Sequence, residues 1–182
     1  RVFIAGGMAW PNPLVDMKAE VKRLREQLDK VPGQEDVEIV GDELATTPDA
    51  VKQLVSRHAD VDGILAVQVG LGTTGHLHAL VASNIPSISF NTPYSGHEWC
   101  LIPDLQRAGK KIDVIATSRF EDVAAAFRPF RAIHRMKETR VLFVGGPLKP
   151  AEDYVADAKK KLGVEVVPFD HQRLVEAYEA MD

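Results

Sequence analysis

The stretch that most constrains this chain is Val61 to Asn91, VDGILAVQVGLGTTGHLHALVASNIPSISFN. Gly63 to Val69 is a short, mostly apolar run with several β-branched residues, the pattern of a strand buried on both faces. A glycine-rich turn, Gly70 to Gly75, follows it. His76 to Ser83 reads as a helix, which Asn84 stops and Pro86 keeps stopped, and Ser87 to Asn91 reads as a second strand. Strands joined by a helix run parallel. Ligands of open parallel sheets bind in the crevice outside the carboxyl ends of the strands.

The same alternation runs along the whole chain. Val2 to Ala5 reads as a strand, followed by the loop Gly6 to Pro13 and an amphipathic helix from Leu14 to Val31. Val37 to Val40 reads as the second strand. Thr47 is a helix N-cap with Pro48 at the first helical position, and the helix continues through Ala50 to His58. After the central unit come an irregular loop, a helical turn from Asp104 to Gly109, and a fifth strand, Ile112 to Ala116. The expectation is a flavodoxin-like (Rossmann-like) three-layer α/β domain over residues 1–119, with a parallel sheet in the order 2-1-3-4-5. A connecting helix over residues 120–138 should kink or split at Pro129. The alternation then restarts. Arg140 to Val144, Glu152 to Leu162, Val164 to Phe169 and the helix from His171 read as the first βα units of a second such domain, residues 139–182.

Composition narrows the function classes. The 182 residues are 45% hydrophobic and 26% charged, which fits a globular chain. A net charge of -4 gives no electrostatic case for nucleic acid. The apolar runs are only strand-length, so neither a membrane span nor a signal peptide is read. A single cysteine, Cys100, allows no internal disulfide and fits the cytoplasm. Arg1 leads directly into a strand, and the last helix stops at Asp182, so the sequence is expected to be part of a longer chain.

Gly70-Leu71-Gly72-Thr73-Thr74-Gly75 matches the G-x-G-x-x-G pattern of dinucleotide sites. It follows the third strand rather than the first. The position where an acid should hold the ribose, about 20 residues on, falls near Phe90 and Asn91. The turn reads better as a tight helix start, whose free amides and the hydroxyls of Thr73 and Thr74 can hold a polyol or an anion. His76 and His78 follow this turn, and His97 and Glu98 follow the next strand. Their residue types suit a transition metal, yet no ligand-spacing motif is present and residues two apart on a helix diverge; no metal site is assigned. Trp10, Asn12, Tyr94 and Trp99 fall in loops at the same sheet edge, where aromatics stack on sugar rings and amides read hydroxyls; cover for small satellite cores is the alternative. Cys100 lies near His97 without an orienting acid or an oxyanion device, so no nucleophile is assigned. The candidate substrate-binding set is thus Trp10, Asn12, Thr73, Thr74, His76, Asn91, Tyr94, His97, Glu98 and Trp99, with no catalytic residue named.

The run VDGILAVQVGLGTTGHLHALVASNIPSISFNTPYSG, together with RFEDVAAAFRPFRAIHRMKETRVLFVGG, resembles the amino-terminal region of the L-fucose isomerase and L-arabinose isomerase superfamily. The likeness is one of arrangement over most of the chain, without a signature motif. It implies two Rossmann-like layers followed by a catalytic part, interconversion of an aldose and a ketose, and a homo-oligomer. It also implies a divalent metal such as manganese, held by residues outside this segment. This segment would then supply oligomer contacts and part of the substrate entrance, and its loops could reach a neighbouring subunit's site.

VDGILAV followed by IPSISFN is also similar to the sugar-binding domains of periplasmic binding proteins and related repressors, which bind without catalysis. A binding protein would carry a secretion signal or a DNA-binding segment; an isomerase would continue into a metal-containing domain. A flavodoxin-like nucleotide or flavin protein is a third reading. The missing ribose acid and the absence of a hydroxyl-rich phosphate loop after the first strand weaken it.

Overall fold

The structure, a computed structural model, describes residues 2–5, 16–92, 95, 97–144 and 151–181. The chain divides into two compact units, Arg1–Phe130 and Arg131–Asp182, with the division inside one helix.

The first unit is α/β with a five-stranded parallel sheet. Its strands are β1 (Val2–Ala5), β2 (Leu44–Ala45), β3 (Ile64–Gln68), β4 (Ser87–Asn91) and β5 (Ile112–Ile115). They lie in the order β2-β1-β3-β4-β5. β3 has a parallel neighbour on each side, with Ile4 opposite Val67 and Val67 opposite Phe90. Its helices are α1 (Met17–Leu28), α2 (Pro48–Arg57), α3 (Thr74–Val81), α4 (Ile102–Arg107) and the start of α5 (Ala124–Glu138).

The apolar run of β3 feeds two cores. Ile64 and Ala66 join one cluster, with Val51 and Leu54 of α2, Leu77 and Leu80 of α3, and Ile102 and Leu105 of α4. Leu65, Val67 and Val69 join the other, with Leu24 and Leu28 of α1 and Ala126, Phe127 and Phe130 of α5. The alternation follows from the pleat, which sends successive side chains to opposite faces. Gly63 is required by close approach, because a Cβ there would lie 2.0 Å from the Phe130 ring.

The local signals explain most boundaries. Asp16 caps α1, accepting from the amides of Lys18 and Ala19 at 2.9 and 3.2 Å, so the helix starts at Met17. It ends at Leu28 rather than Val31, although Val31 remains buried. Thr47 caps α2 through the amide of Ala50, and Pro48 opens the helix. Asn84 takes the left-handed conformation, φ 59, just beyond α3. α5 runs from Ala124 to Glu138 through Pro129 without a split.

One expected strand is corrected. Val37 to Val40 forms none, and β2 is instead Leu44–Ala45. The register pairs Ile4 with Leu44 and Ala5 with Ala45, so the partner of β1 is the segment after Gly41 rather than Val37 to Val40. The side chains still find the core, with Val37 and Ile39 against one cluster and Val40 against the other.

The second unit repeats the pattern in miniature. β6 (Arg140–Phe143) and β7 (Glu165–Pro168) pair in parallel, with α6 (Glu152–Leu162) between them and α7 (Gln172–Glu179) after them. Arg140 pairs with Glu165 across the strands at 3.0 Å. Gly163, at φ 77, ends α6 in the left-handed conformation. Among the described residues of the chain, no helix is long and apolar enough to cross a membrane.

Candidate functional site

Two polar residues interrupt the buried strands near their carboxyl ends. Gln68 closes β3 and Ser89 lies in β4, and both are 0% exposed. Buried polar groups must be hydrogen-bonded, and these are linked in a chain. The Thr73 hydroxyl donates to Gln68 Oε1 at 2.5 Å, Gln68 Nε2 donates to Ser89 Oγ at 2.8 Å, and Ser89 Oγ donates to Asn91 Oδ1 at 3.1 Å. Each link sets the orientation of the next, so the side chain of Asn91 is fixed from the start of α3. The loop after β4 is fastened to the same place. The Gln68 carbonyl accepts from the hydroxyls of Thr92 and Ser95 at 2.9 and 2.7 Å.

The start of α3 is closed by a residue from far along the chain. Thr73 holds the N-cap position, but its hydroxyl is spent on Gln68 and makes no cap bond. Its amide donates instead to Glu98 Oε1 at 2.7 Å. A carboxylate is favourable at a helix N-terminus, where the peptide dipoles converge on unpaired amides. Glu98 is only 6% exposed. A phosphate placed at the same amides would meet this carboxylate, a charge conflict that goes against a dinucleotide reading of the glycine turn.

His76, in the first turn of α3, is also 6% exposed. Among the described residues, neither of its ring nitrogens has a hydrogen-bond partner, and neither does Glu98 Oε2. His78 is exposed, as expected for residues that diverge on a helix. Among the described residues, no group of three or more His, Cys, Asp or Glu side chains could hold a metal ion.

Beyond the strand ends lies a cleft of about 200 Å³, lined by Asn91, Ser95, Trp99, Val114 and Ala116. Trp99 is 52% exposed. The volume is below the roughly 300–1,000 Å³ of drug-sized sites, so the cleft suits a small ligand or part of one. It sits outside β4 and β5 rather than between β1 and β3, where the topological switch of the sheet lies.

Of the residues singled out from sequence, Asn91 and Trp99 line this cleft, and Thr73, His76 and Glu98 are buried at or near the start of α3. Thr74 and His97 are exposed. Trp10, Asn12 and Tyr94 lie outside the described residues. The four residues His76, His78, His97 and Glu98 do not form a metal-binding group. Sequence reasoning missed Gln68, Ser89 and Ser95. The available signal was a glutamine inside an otherwise apolar run, since a strand buried on both faces keeps a polar residue only where partners await it.

No protein-family model and no curated protein matches the chain.

Proposed function

We propose that this chain is the amino-terminal portion of a cytoplasmic aldose–ketose sugar isomerase, built on a flavodoxin-like first domain. It supplies oligomer contacts and part of the substrate entrance. The observation that carries the reading is the buried chain Thr73–Gln68–Ser89–Asn91, which ends on a small cleft with the half-exposed Trp99 on its lining. A fixed amide beside an aromatic face is the equipment of a polyol site: the amide reads hydroxyls and the ring covers the apolar side of the sugar. The exposed, unpaired Cys100 agrees with a reducing compartment.

The reaction is a proton or hydride transfer between adjacent sugar carbons. The described residues do not supply a site for the manganese that the family resemblance implies, and no step is assigned to it through them. What this segment contributes is binding and orientation. Asn91, held by Ser89, presents a hydrogen-bonding group of fixed direction, and Trp99 excludes water from one side of the sugar. The test is steady-state kinetics of the full-length enzyme with His97 and Trp99 replaced by alanine. The Michaelis constant should rise about tenfold with kcat little changed, the signature of lost uniform binding. Unchanged kinetic constants would refute the role of this loop.

A further inference from the structure

We propose that His76 and Glu98 Oε2 together form a buried subsite for a vicinal diol; the proposal rests on the polyol reading of the neighbouring cleft. Three buried polar atoms at the start of α3 have no hydrogen-bond partner among the described residues: His76 Nδ1, His76 Nε2 and Glu98 Oε2. Leaving a buried donor or acceptor unmet is costly, so such atoms call for partners.

Glu98 and His76 are both brought to the start of α3. Glu98 is anchored on the amide of Thr73, three residues before His76. Residues three apart share a helix face, and side chains lean toward the helix N-terminus. The His76 ring therefore leans toward the end of α3 that Glu98 closes. Glu98 also precedes Trp99 directly, and Trp99 lines the cleft.

The chemistry of the donor set selects the ligand. An anion is disfavoured, because Glu98 already brings negative charge to the helix N-terminus. A metal ion is disfavoured, because the described residues give it fewer than three side-chain ligands of the usual kinds. What remains unmet is one imidazole N–H donor, one imidazole nitrogen acceptor and one carboxylate acceptor. Two adjacent hydroxyls can meet the carboxylate oxygen and one of the two ring nitrogens. One donates to Glu98 Oε2. The other pairs with the His76 ring nitrogen on the side facing Glu98, as donor or acceptor according to which tautomer the ring adopts.

The test is calorimetric titration of the protein with xylitol, a chain of vicinal hydroxyls, and with 1,3-propanediol, which has no vicinal pair. Three variants accompany it: His76→Phe, Glu98→Gln and Trp99→Ala. Xylitol should bind and 1,3-propanediol should not. His76→Phe fills the ring's volume while removing both nitrogens, so it should weaken xylitol binding about tenfold or more without lowering Tm. Glu98→Gln keeps an acceptor for the Thr73 amide and turns the other acceptor into a donor, and it should weaken binding severalfold. It decides the matter if His76→Phe does not fold. Binding that survives both subsite variants and falls only in Trp99→Ala would overturn the subsite and leave the cleft standing. Equal binding of both compounds would overturn the diol. No binding of xylitol by the unaltered protein would overturn the subsite and the polyol reading together.

Discussion

The two units use the same βα grammar and bury it very differently. In the first, β3 lies between strands and both faces of the sheet are covered, so Leu65, Val67 and Ala66 are almost wholly buried. In the second, the two strands leave Val141 and Leu142 exposed, and α7 exposes Leu174, Val175 and Tyr178 along its length. The patterning of the residues is alike. What differs is the number of neighbours each strand has, and a parallel sheet becomes a core only when both faces are covered.

The comparison breaks most sharply on paired truncations. Leu65→Ala should cost about 2–5 kcal/mol in urea denaturation, the range for a filled core position. Leu142→Ala, at 55% exposure, should stay within about 0.5 kcal/mol. Similar losses at the two positions would mean that the second unit is as well packed as the first. A smaller effect sharpens the role of the polar chain. Gln68→Leu keeps the bulk but strands Thr73 and Ser89 without their partner, so unfolding free energy should drop by about 1–3 kcal/mol. Sugar affinity should fall as well, because Asn91 loses its support. A gain in stability would show that the chain is dispensable to the fold.

The smallest effect is electrostatic. The hydrogen bond from Arg57 holds the Glu43 carboxyl below its ordinary range; burial opposes it, and the nearby charges of Arg57 and His58 add to the lowering. A carboxyl lowered on folding stabilises above its unfolded pKa and loses that contribution as pH falls through its folded pKa. Both partners are more than half exposed, so the effect is small and salt-sensitive. Glu43→Gln should therefore lower Tm slightly at neutral pH, and the difference should vanish in acid. A difference that persists in acid would assign it to something other than the ion pair.

Much of the fold is legible in the residues. The apolar run Gly63–Val69, the stop at Asn84 and the cap at Thr47 are local signals, and the structure uses each of them. The second strand is not, because its pairing depends on the register of β1, which no property of Val37 to Val40 records. The site was legible in part. Glu98, Asn91 and Trp99 stand out in the sequence as polar or aromatic residues at the right edge of the sheet. The bond from Thr73 to Glu98 spans a distance of 25 residues, and the link from Gln68 to Ser89 spans 21. Such tertiary contacts leave only the oddity of a glutamine in an apolar strand.

The central claim is that the cleft beside Asn91 and Trp99 receives a sugar. Its most direct test is tryptophan fluorescence of a Trp10→Phe variant, in which Trp99 alone reports, titrated with L-fucose and with L-arabinose. A saturable change for at least one sugar, lost when Asn91 is replaced by alanine, is the expected result. A response that stays flat for both sugars, or that is unaltered by Asn91→Ala, would contradict it.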